Sequence, residues 1–185
     1  MPKTGNPWTV LGKKTSYEND WIEVEHHDVL NPAGKEGIYG VVRFKNLAVG
    51  ILPVDDELNT WLIGQYRYPL GQYSWEIPEG GSPLGSDPLE TAKRELREET
   101  GIEAKEFKEM FAMHLSNSVT NEYGIVYLAK GLKIGEPQPD EEEELILKKI
   151  PLREAISMGH RGEISDSLSL AALMKAELML LKGEL

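Results

Sequence analysis

The sequence predicts an α/β protein in which a mixed β-sheet is sandwiched between α-helices (α/β/α), with a small antiparallel sheet at the N-terminus. Segments that alternate apolar and polar residues, such as residues 21–26, indicate strands. A long segment that begins near Asp87 carries the start and stop signals of a helix. Strands and helices interleave without a regular βαβ repeat, which favours a mixed sheet flanked by helices over a doubly wound one.

The N-terminal residues predict a sheet that is too small to be stable alone. Residues 21–26 and 38–44 are predicted as strands, and the Asn-, Pro- and Gly-containing residues 31–37 as the turn between them. So few strands need further packing to be stable. We therefore predict that residues 1–45 form an N-terminal β-sheet segment and that residues 46–185 form a second, larger domain.

The larger segment predicts strands first and helices later. Residues 48–54 and 60–68 are predicted to pair as strands around a turn at residues 55–59. Residues 74–78 are predicted to be short and extended, because the residue before a proline avoids the helical region. The glycine-rich residues 80–85 are predicted as an irregular loop. Downstream, strands are predicted at 107–115, 123–129 and 144–150, and helices at 153–158 and 167–182.

The helix between these two sets of strands has the clearest signals in the chain. Asp87 is a good N-cap residue, a proline suits the first helical position, and Glu90 stands where a capping box has its carboxylate. Gly101 supplies the C-terminal stop. Three apolar residues fall at helical spacing and are predicted to face the core: Leu89, Ala92 and Leu96.

The composition excludes several classes of protein. The chain has 185 residues, with 31 acidic against 20 basic residues and a formal net charge of -11. Such a chain repels phosphates on average, so we expect neither a nucleic-acid nor a membrane partner. The absence of cysteine excludes disulfides, thiolate metal sites and cysteine nucleophiles. No run approaches the ~20 apolar residues needed to span a bilayer, and we expect a cytoplasmic protein.

Three carboxylates project from one side of the predicted helix. Glu95, Glu98 and Glu99 stand at positions i, i+3 and i+4, where like charges destabilise a helix. Near the helix C-terminus they also oppose the helix dipole. Carboxylate oxygens are the ligands that Mg²⁺ and Mn²⁺ prefer, so a bound cation would explain the arrangement. The alternative is a solvated face whose charge is partly neutralised by Arg94 and Arg97.

The residues that carry these carboxylates resemble the box of the Nudix hydrolases, Gly-x5-Glu-x7-Arg-Glu-apolar-x-Glu-Glu-x-Gly-apolar. Agreement at this many spaced positions is far more specific than a lone glycine motif. One position departs from the box, because Ser86 stands in place of the early glutamate, with Asp87 next to it. The positions in register are Gly80, Arg94, Glu95, Leu96, Glu98, Glu99, Gly101 and Ile102.

Outside the box, the chain from about Trp21 onward is similar to the ADP-ribose and nucleoside diphosphate sugar pyrophosphatase branch of that family. The resemblance implies a Nudix fold, and a homodimer in which the N-terminal sheet pairs with a second subunit. Downstream it rests on the acidic residues 140–144 and the Gly-x-Ile-x-Asp pattern at 162–166. Upstream it rests on Gln65, Arg67 and Pro69, and on Glu76, Pro78 and Gly80.

The resemblance also implies roles for individual residues. Glu95 and Glu99 would be the main ligands of Mg²⁺ (or Mn²⁺), with Glu98 sharing a metal and acting in catalysis. The backbone carbonyl of Glu79 would be a further metal ligand, and Arg94 would hold a glutamate by an ion pair. Glu142 and Glu144 would be a catalytic base and a metal ligand. We favour Glu142 as the base and Glu144 as the ligand, and the order stays open because four glutamates run together.

Substrate contacts are predicted at Arg67, Glu76, Gly80 and Glu122. Arginine suits bidentate phosphate contacts, and the alternative for Arg67 is a surface ion pair. Aromatic side chains on strands could stack on a base, although they more often belong to the core. The four aromatic residues in question are Trp61, Tyr66, Tyr68 and Trp75.

The activity implied is metal-dependent hydrolysis of the pyrophosphate bond of nucleoside diphosphate sugars, such as ADP-ribose, to a nucleoside monophosphate and a sugar phosphate. ADP-ribose-specific members have a proline where this chain has Asn117, so strict ADP-ribose specificity does not follow. The alternatives are a Nudix hydrolase of another diphosphate, such as a dinucleoside polyphosphate or coenzyme, and a non-catalytic nucleotide sensor. Sensors usually lose a box glutamate, whereas this chain keeps all three.

Overall fold

The computed structural model describes residues 4–137 and 144–185. Over these residues the chain forms strands, three α-helices and a short 3-10 helix at Tyr68–Leu70. The strands are β1 (Thr9–Glu18), β2 (Ile22–Leu30), β3 (Glu36–Phe44), β4 (Asn46–Pro53), β5 (Asn59–Arg67), β6 (Gln72–Glu76), β7 (Glu79–Pro83), β8 (Ile102–His114), β9 (Tyr123–Ile134) and β10 (Ile146–Pro151), and the helices are α1 (Pro88–Thr100), α2 (Leu152–His160) and α3 (Ser167–Lys182).

The chain divides into two compact units. The first contains the residues up to Asn46 together with His114–Glu122. Its sheet has the order β1-β2-β3, with β2 antiparallel to both neighbours. Within this unit the hydroxyl of Tyr39 donates to the carbonyl of Ser118 at 2.5 Å, and the backbone N–H of Val42 donates to the carbonyl of Val119 at 2.8 Å. These bonds tie the 114–122 segment to β3.

One buried carboxylate organises charge in this first sheet. Glu25 is 5% exposed and accepts from Lys13 Nζ at 2.8 Å and from Arg43 Nε at 2.9 Å. The ring nitrogen Nε2 of His27 lies 3.2 Å from Oε2 of Glu25. Hydrogen bonds from Lys13, Arg43 and His27 lower the pKa of Glu25 to about 2.

The second unit contains Leu47–Met113 and Tyr123–Leu185 and has two sheets. A mixed four-stranded sheet has the order β7-β4-β9-β8, in which β4 and β9 are parallel. A three-stranded sheet has the order β10-β5-β6 and is antiparallel. The predicted α/β class with a mixed sheet is confirmed, and the seven strands that the structure describes in this unit divide between the two sheets.

Two sequence predictions about the strands of this unit were wrong. β4 and β5 do not pair with each other but belong to different sheets. The nearly continuous burial of β4, with Val49, Ile51 and Leu52 at 0% exposure, is typical of a parallel strand covered on both faces rather than one arm of a hairpin. The predicted loop at residues 80–85 contains most of β7, an edge strand in which glycine and a terminal proline are tolerated.

Helix α1 forms as the sequence predicts. Asp87 accepts from the N–H of Leu89 at 2.9 Å, and the left-handed Gly101 (φ 71°) ends the helix by donating to the carbonyl of Arg97. Ala92 and Leu96 are fully buried in the core cluster with Val49, Ile51, Trp61, Ile102, Tyr127 and Ala129, while Leu89 is partly buried against it. Glu90 was predicted as the carboxylate of a capping box, but it accepts from Lys93 Nζ at 2.6 Å instead, an i,i+3 pair.

The C-terminal helices follow the predicted pattern. α3 has the predicted bounds, with Asp166 as N-cap accepting from the N–H of Ser169 at 2.8 Å and with Gly183 in the left-handed conformation after its last turn. α2 extends the predicted helix by a residue or two at each end. In the part of the chain described here, none of the helices combines the length and the apolar character that a membrane span requires.

Candidate functional site

The carboxylates of α1 lie against the backbone of β7. Glu99, 5% exposed, accepts a hydrogen bond from the backbone N–H of Glu79 at 3.1 Å through Oε2. One turn earlier, the side chain of Glu95 lies over Gly80: a Cβ atom built on Gly80 would come within 2.0 Å of Cδ and Oε1 of Glu95. The absence of a side chain at Gly80 therefore creates the space that the Glu95 carboxylate occupies.

Arg94 connects two of the three predicted carboxylates. Its Nη2 lies 2.5 Å from Glu95 Oε1, and its Nη1 lies 2.6 Å from Glu98 Oε2. Burial opposes the charge of Arg94, but the attraction of Glu95 and Glu98 outweighs it and raises the pKa of the guanidinium. Arg97 approaches Glu98 only to 4.0 Å. The structure therefore brings together Arg94, Glu95 and Glu98, with the contacts that an ion-pair role for Arg94 requires.

The donor set suits a divalent cation in its chemistry. Glu95, Glu98 and Glu99 project from one helix beside a strand backbone, and carboxylate and carbonyl oxygens are the ligands that Mg²⁺ and Mn²⁺ prefer. The space at Gly80 admits the Glu95 carboxylate to this backbone. Over residues 4–137 and 144–185, no three acidic or histidine side chains are already gathered as a metal site. Arg94 contacts one oxygen of each carboxylate, Oε1 of Glu95 and Oε2 of Glu98.

The loop between β6 and β7, together with Glu79 at the start of β7, is held by three different elements. The N–H of Ile77 donates to Ser169 Oγ on α3 at 2.9 Å, and the N–H of Ile51 on β4 donates to the carbonyl of Pro78 at 2.8 Å. Glu99 on α1 binds the N–H of Glu79, as described. The Ser169 hydroxyl also donates to Glu79 Oε1 at 3.0 Å. We call the side of α1 that carries Glu95, Glu98 and Glu99 the carboxylate face. The Glu79 peptide therefore has a fixed place beside this face.

Sequence reasoning missed Asp166 and Ser169 as neighbours of this site. Burial of the Glu79 carboxyl group raises the pKa of this group well above its ordinary value, and the carboxylates of Asp166 and Glu76 add to the rise. The Ser169 hydroxyl opposes it. Asp166 entered the sequence analysis only as part of the Gly-x-Ile-x-Asp pattern before α3, which predicts a helix start and says nothing about Glu79.

Arg67 and Glu76, both predicted to bind substrate, pair with each other across β5 and β6. Glu76 is 2% exposed, and its oxygens accept from Arg67 Nε at 3.0 and 3.1 Å and from Nη2 at 2.5 Å. The pair raises the pKa of Arg67. Gln65 Nε2 lies 3.5 Å from the same carboxylate. Of the aromatic residues, Trp61 belongs to the core, while Tyr66 and Tyr68 are exposed and Trp75 is half-buried.

Three further residues were predicted to belong to the site: Glu144, Glu142 and Glu122. Glu144 is exposed, two residues before β10. Glu142 lies outside the described residues. Glu122 belongs to the N-terminal unit, where its N–H donates to Thr120 Oγ1 at 3.2 Å.

Two known protein families match this chain. Residues 44–167, two thirds of the chain, match the NUDIX domain family. The chain belongs to the Nudix family. Residues 8–42 match a second family, described as the nucleoside diphosphate sugar hydrolase N-terminal domain. The Nudix match contains the whole carboxylate face, Arg67, Glu76 and the β6–β7 loop, whereas the N-terminal match covers most of the first sheet.

Two relatives of this Nudix chain carry the same name. An ADP-ribose pyrophosphatase of Bacillus subtilis is 31% identical over 170 residues, which cover 91% of this chain and 91% of the relative. An ADP-ribose pyrophosphatase of Mycobacterium tuberculosis is 35% identical over 130 residues, which cover 69% of this chain and 63% of the relative. The match therefore spans less than two thirds of the length of the mycobacterial relative.

A solved structure supports the Nudix fold. The crystal structure of an ADP compounds hydrolase matches with a TM-score of 0.85 at 23% identity, covering 99% of this chain and all of the other. At this sequence identity the structural similarity is evidence for the fold alone. Together the comparisons confirm the predicted family, its nucleoside diphosphate sugar branch, the fold and the enzyme class. Nudix hydrolases generally need divalent metal ions.

Proposed function

We propose that this Nudix hydrolase cleaves the pyrophosphate bond of nucleoside diphosphate sugars, ADP-ribose among them, by means of Mg²⁺ or Mn²⁺ held at the carboxylate face of α1. The products are a nucleoside monophosphate and a sugar phosphate. The observation that carries the proposal is the pairing of Glu99 with the Glu79 peptide and of Glu95 with Gly80, which sets two carboxylates beside a strand backbone. The cytoplasmic location predicted from composition belongs to the same proposal.

Glu95, Glu99 and the backbone carbonyl of Glu79 would hold the cation, and Glu98 would share it. A bound divalent cation neutralises phosphate charge and lowers the pKa of an attacking water. Arg94 keeps Glu95 and Glu98 apart and oriented through its two short ion pairs. This role matters most before the cation binds, because three carboxylates on one helix face repel each other.

A carboxylate from the 140–144 segment would complete the site, either as the base that takes a proton from water or as a further ligand. Glu142 is proposed as the base and Glu144 as the ligand. Glu144→Gln should then be partly rescued by raised metal concentration, whereas Glu142→Gln should lose rate while it still binds substrate and metal. If both variants kept the wild-type kcat, the segment would have no part in the reaction.

Arg67 would bind a substrate phosphate, and Glu76 would orient the Arg67 side chain. The ion pair uses Nε and Nη2 of Arg67, so Nη1 is the nitrogen that can reach a phosphate oxygen. Gly80 and Glu122 are proposed as further substrate contacts. The acidic net charge of the chain, -11, makes such a local cation necessary for an anionic substrate.

A homodimer is part of the proposal. The N-terminal unit, which contains the sheet β1-β2-β3, presents large apolar side chains to solvent, which a second copy of the chain could cover. Light scattering at micromolar concentration should give twice the monomer mass, and a monomer would contradict this part of the proposal. The exposed residues are Trp8, Val10, Leu11, Tyr17, Trp21 and Ile38.

The activity is tested with a panel of ADP-ribose, other nucleotide sugars, a dinucleoside polyphosphate and a coenzyme diphosphate, each with Mg²⁺, Mn²⁺ and EDTA. Products identified by mass should be a nucleoside monophosphate and a sugar phosphate, formed only with metal. Preferred cleavage of the last two compounds would indicate the alternative hydrolase. Binding of nucleotide without any product would indicate a sensor.

A further inference from the structure

Three hydroxyl groups join β7 to the start of α1 at the position where the sequence departs from the Nudix box. Ser86 Oγ donates to the carbonyl oxygen of Pro83 at 2.6 Å and lies 3.0 Å from Ser82 Oγ. Thr91 Oγ1 donates to Ser82 Oγ at 3.0 Å. Since Ser86 and Thr91 each use their own proton, Ser82 donates to Ser86. The hydroxyls therefore form one donor chain that ends on a carbonyl group.

The first bond of this chain, from Thr91 to Ser82, is shielded from water. Ser82 is fully buried and Thr91 is 6% exposed, whereas Ser86 is exposed. A buried hydroxyl that loses its partner is left unsatisfied, which costs more than the net strength of the bond itself. The Ser82–Thr91 pair is thus the member of the chain whose loss the protein would feel most.

The same pair sets where β7 lies along α1. Thr91 and Glu95 are one turn apart, ~6 Å along the helix axis, and Ser82 and Gly80 are ~7 Å apart along the strand. These similar spacings let Ser82 meet Thr91 while Gly80 meets Glu95. A slip of β7 by one residue would turn Ser82 to the other face of the strand and break both contacts.

We infer that the Ser82–Thr91 hydroxyl pair, extended to Ser86, positions the carboxylate face of α1 against β7. It does so with uncharged groups in a chain that lacks the box glutamate at residue 86. Ser82 and Thr91 are positioning residues that act through Gly80 and the Glu79 peptide, and neither touches the substrate. The inference rests on the proposed function, because the face it positions is the proposed cation site.

Thr91→Val and Ser82→Ala test the inference by direct Mn²⁺ titration, followed by the magnetic resonance of the free ion, and by hydrogen exchange of the amides of residues 79–86. Each variant should bind Mn²⁺ about fivefold more weakly, equivalent to about 1 kcal/mol. Exchange in residues 79–86 should become faster. The double variant should be little worse than Ser82→Ala alone, because Ser82→Ala already removes the Ser82–Thr91 bond, and Thr91→Ser should keep most of the wild-type affinity.

Thr60→Val is the matched control. Among the described residues Thr60 is a fully buried threonine whose hydroxyl has no hydrogen-bond partner, so the same chemical change removes no bond there. Its Mn²⁺ affinity and exchange should equal those of the wild type. Test variants that melt earlier but keep wild-type affinity and wild-type exchange would overturn the inference. If the wild type bound no Mn²⁺, the proposed function would be wrong, and the exchange result alone would decide the inference.

Discussion

The carboxylate of Glu99 accepts a hydrogen bond from the backbone N–H of Glu79, 20 residues earlier in the chain. This bond directs one oxygen of a buried helix carboxylate at a strand peptide, so α1 and the start of β7 share a polar contact at the proposed cation site. The contacts of the β6–β7 loop come from β4 and α3. The site is therefore made by four elements, and its geometry depends on all of them.

Replacing Glu99 with glutamine should reduce kcat at least ~100-fold and weaken metal binding, because a neutral amide offsets a divalent cation less well than a carboxylate does. Folding should persist, since the amide oxygen can still accept from Glu79 and the repulsion with Glu95 is relieved. Steady-state kinetics over a metal series and thermal unfolding check both points. Glu90→Gln, an exposed change on the same helix, is the control. A kcat within tenfold of the wild type would refute the assignment of Glu99.

Replacing Gly80 with alanine should displace the Glu95 carboxylate, because the added methyl group would lie 2.0 Å from its Cδ and Oε1. The flexible side chain can move away, so the thermal midpoint should change little while metal-dependent activity falls at least ~10-fold. Gly37→Ala provides the comparison, since its Cβ meets no atom within 4 Å. Equal activity of the two variants would show that the place of Glu95 against β7 is unimportant.

Arg67→Met should destabilise the protein, because it leaves Glu76 buried without its cation. Loss of one partner of a buried pair costs about 3–5 kcal/mol, and we expect about 2 kcal/mol here because the side chain of Arg67 is 38% exposed. Urea unfolding measures the change. Adding Glu76→Gln to Arg67→Met should recover part of the loss, since the neutral amide is cheaper to bury. A double variant less stable than the single one would contradict this account.

The N-terminal sheet should lose stability in acid through Glu25. Its pKa is lowered in the folded state, from its ordinary value near 4.5 to about 2, so the folded state holds fewer protons than the unfolded state between those values. The stabilisation is therefore complete above about pH 4.5 and disappears as the pH falls toward 2. Urea midpoints measured from pH 7 to pH 3 should fall less steeply in Glu25→Gln. Parallel pH profiles for the two proteins would exclude Glu25 as the cause.

Substrate selection should be broad. Because Asn117 replaces the proline expected of ADP-ribose-specific members, several nucleotide sugars should have kcat/KM values within about tenfold of one another, a difference of ~1.4 kcal/mol in transition-state binding. Competition assays with paired substrates measure the ratios directly. A preference for ADP-ribose of a thousandfold or more would refute the prediction.

The sequence predicted α1 and α3 well because their boundaries depend on local chemistry. Asp87, Asp166, Gly101 and Gly183 act within one turn of the helix ends, so their effect is visible in a single stretch of chain. The family of the chain was readable for the same reason, since the box is one continuous segment.

The pairing of strands and the surroundings of the site could not be predicted in this way. β4 pairs with β9, whose residues lie more than seventy positions downstream, and nothing near β4 encodes that partner. The contacts of Glu79 with Ser169 and of Arg67 with Glu76 depend equally on how separate elements pack. Glycine-rich β7 was mistaken for a loop because glycine signals turns more often than edge strands.

The bond between Ile77 and Ser169 joins residues 92 positions apart. A ribosome adds about 5–20 residues per second, so roughly 5–20 s separate the synthesis of the two partners. During that interval the β6–β7 loop lacks its contact with α3, and the protein cannot yet hold the Glu79 peptide in its final place. The proposed cation site is consequently among the last parts of a newly made chain to mature, and a nascent polypeptide that stops short of α3 should lack the proposed activity.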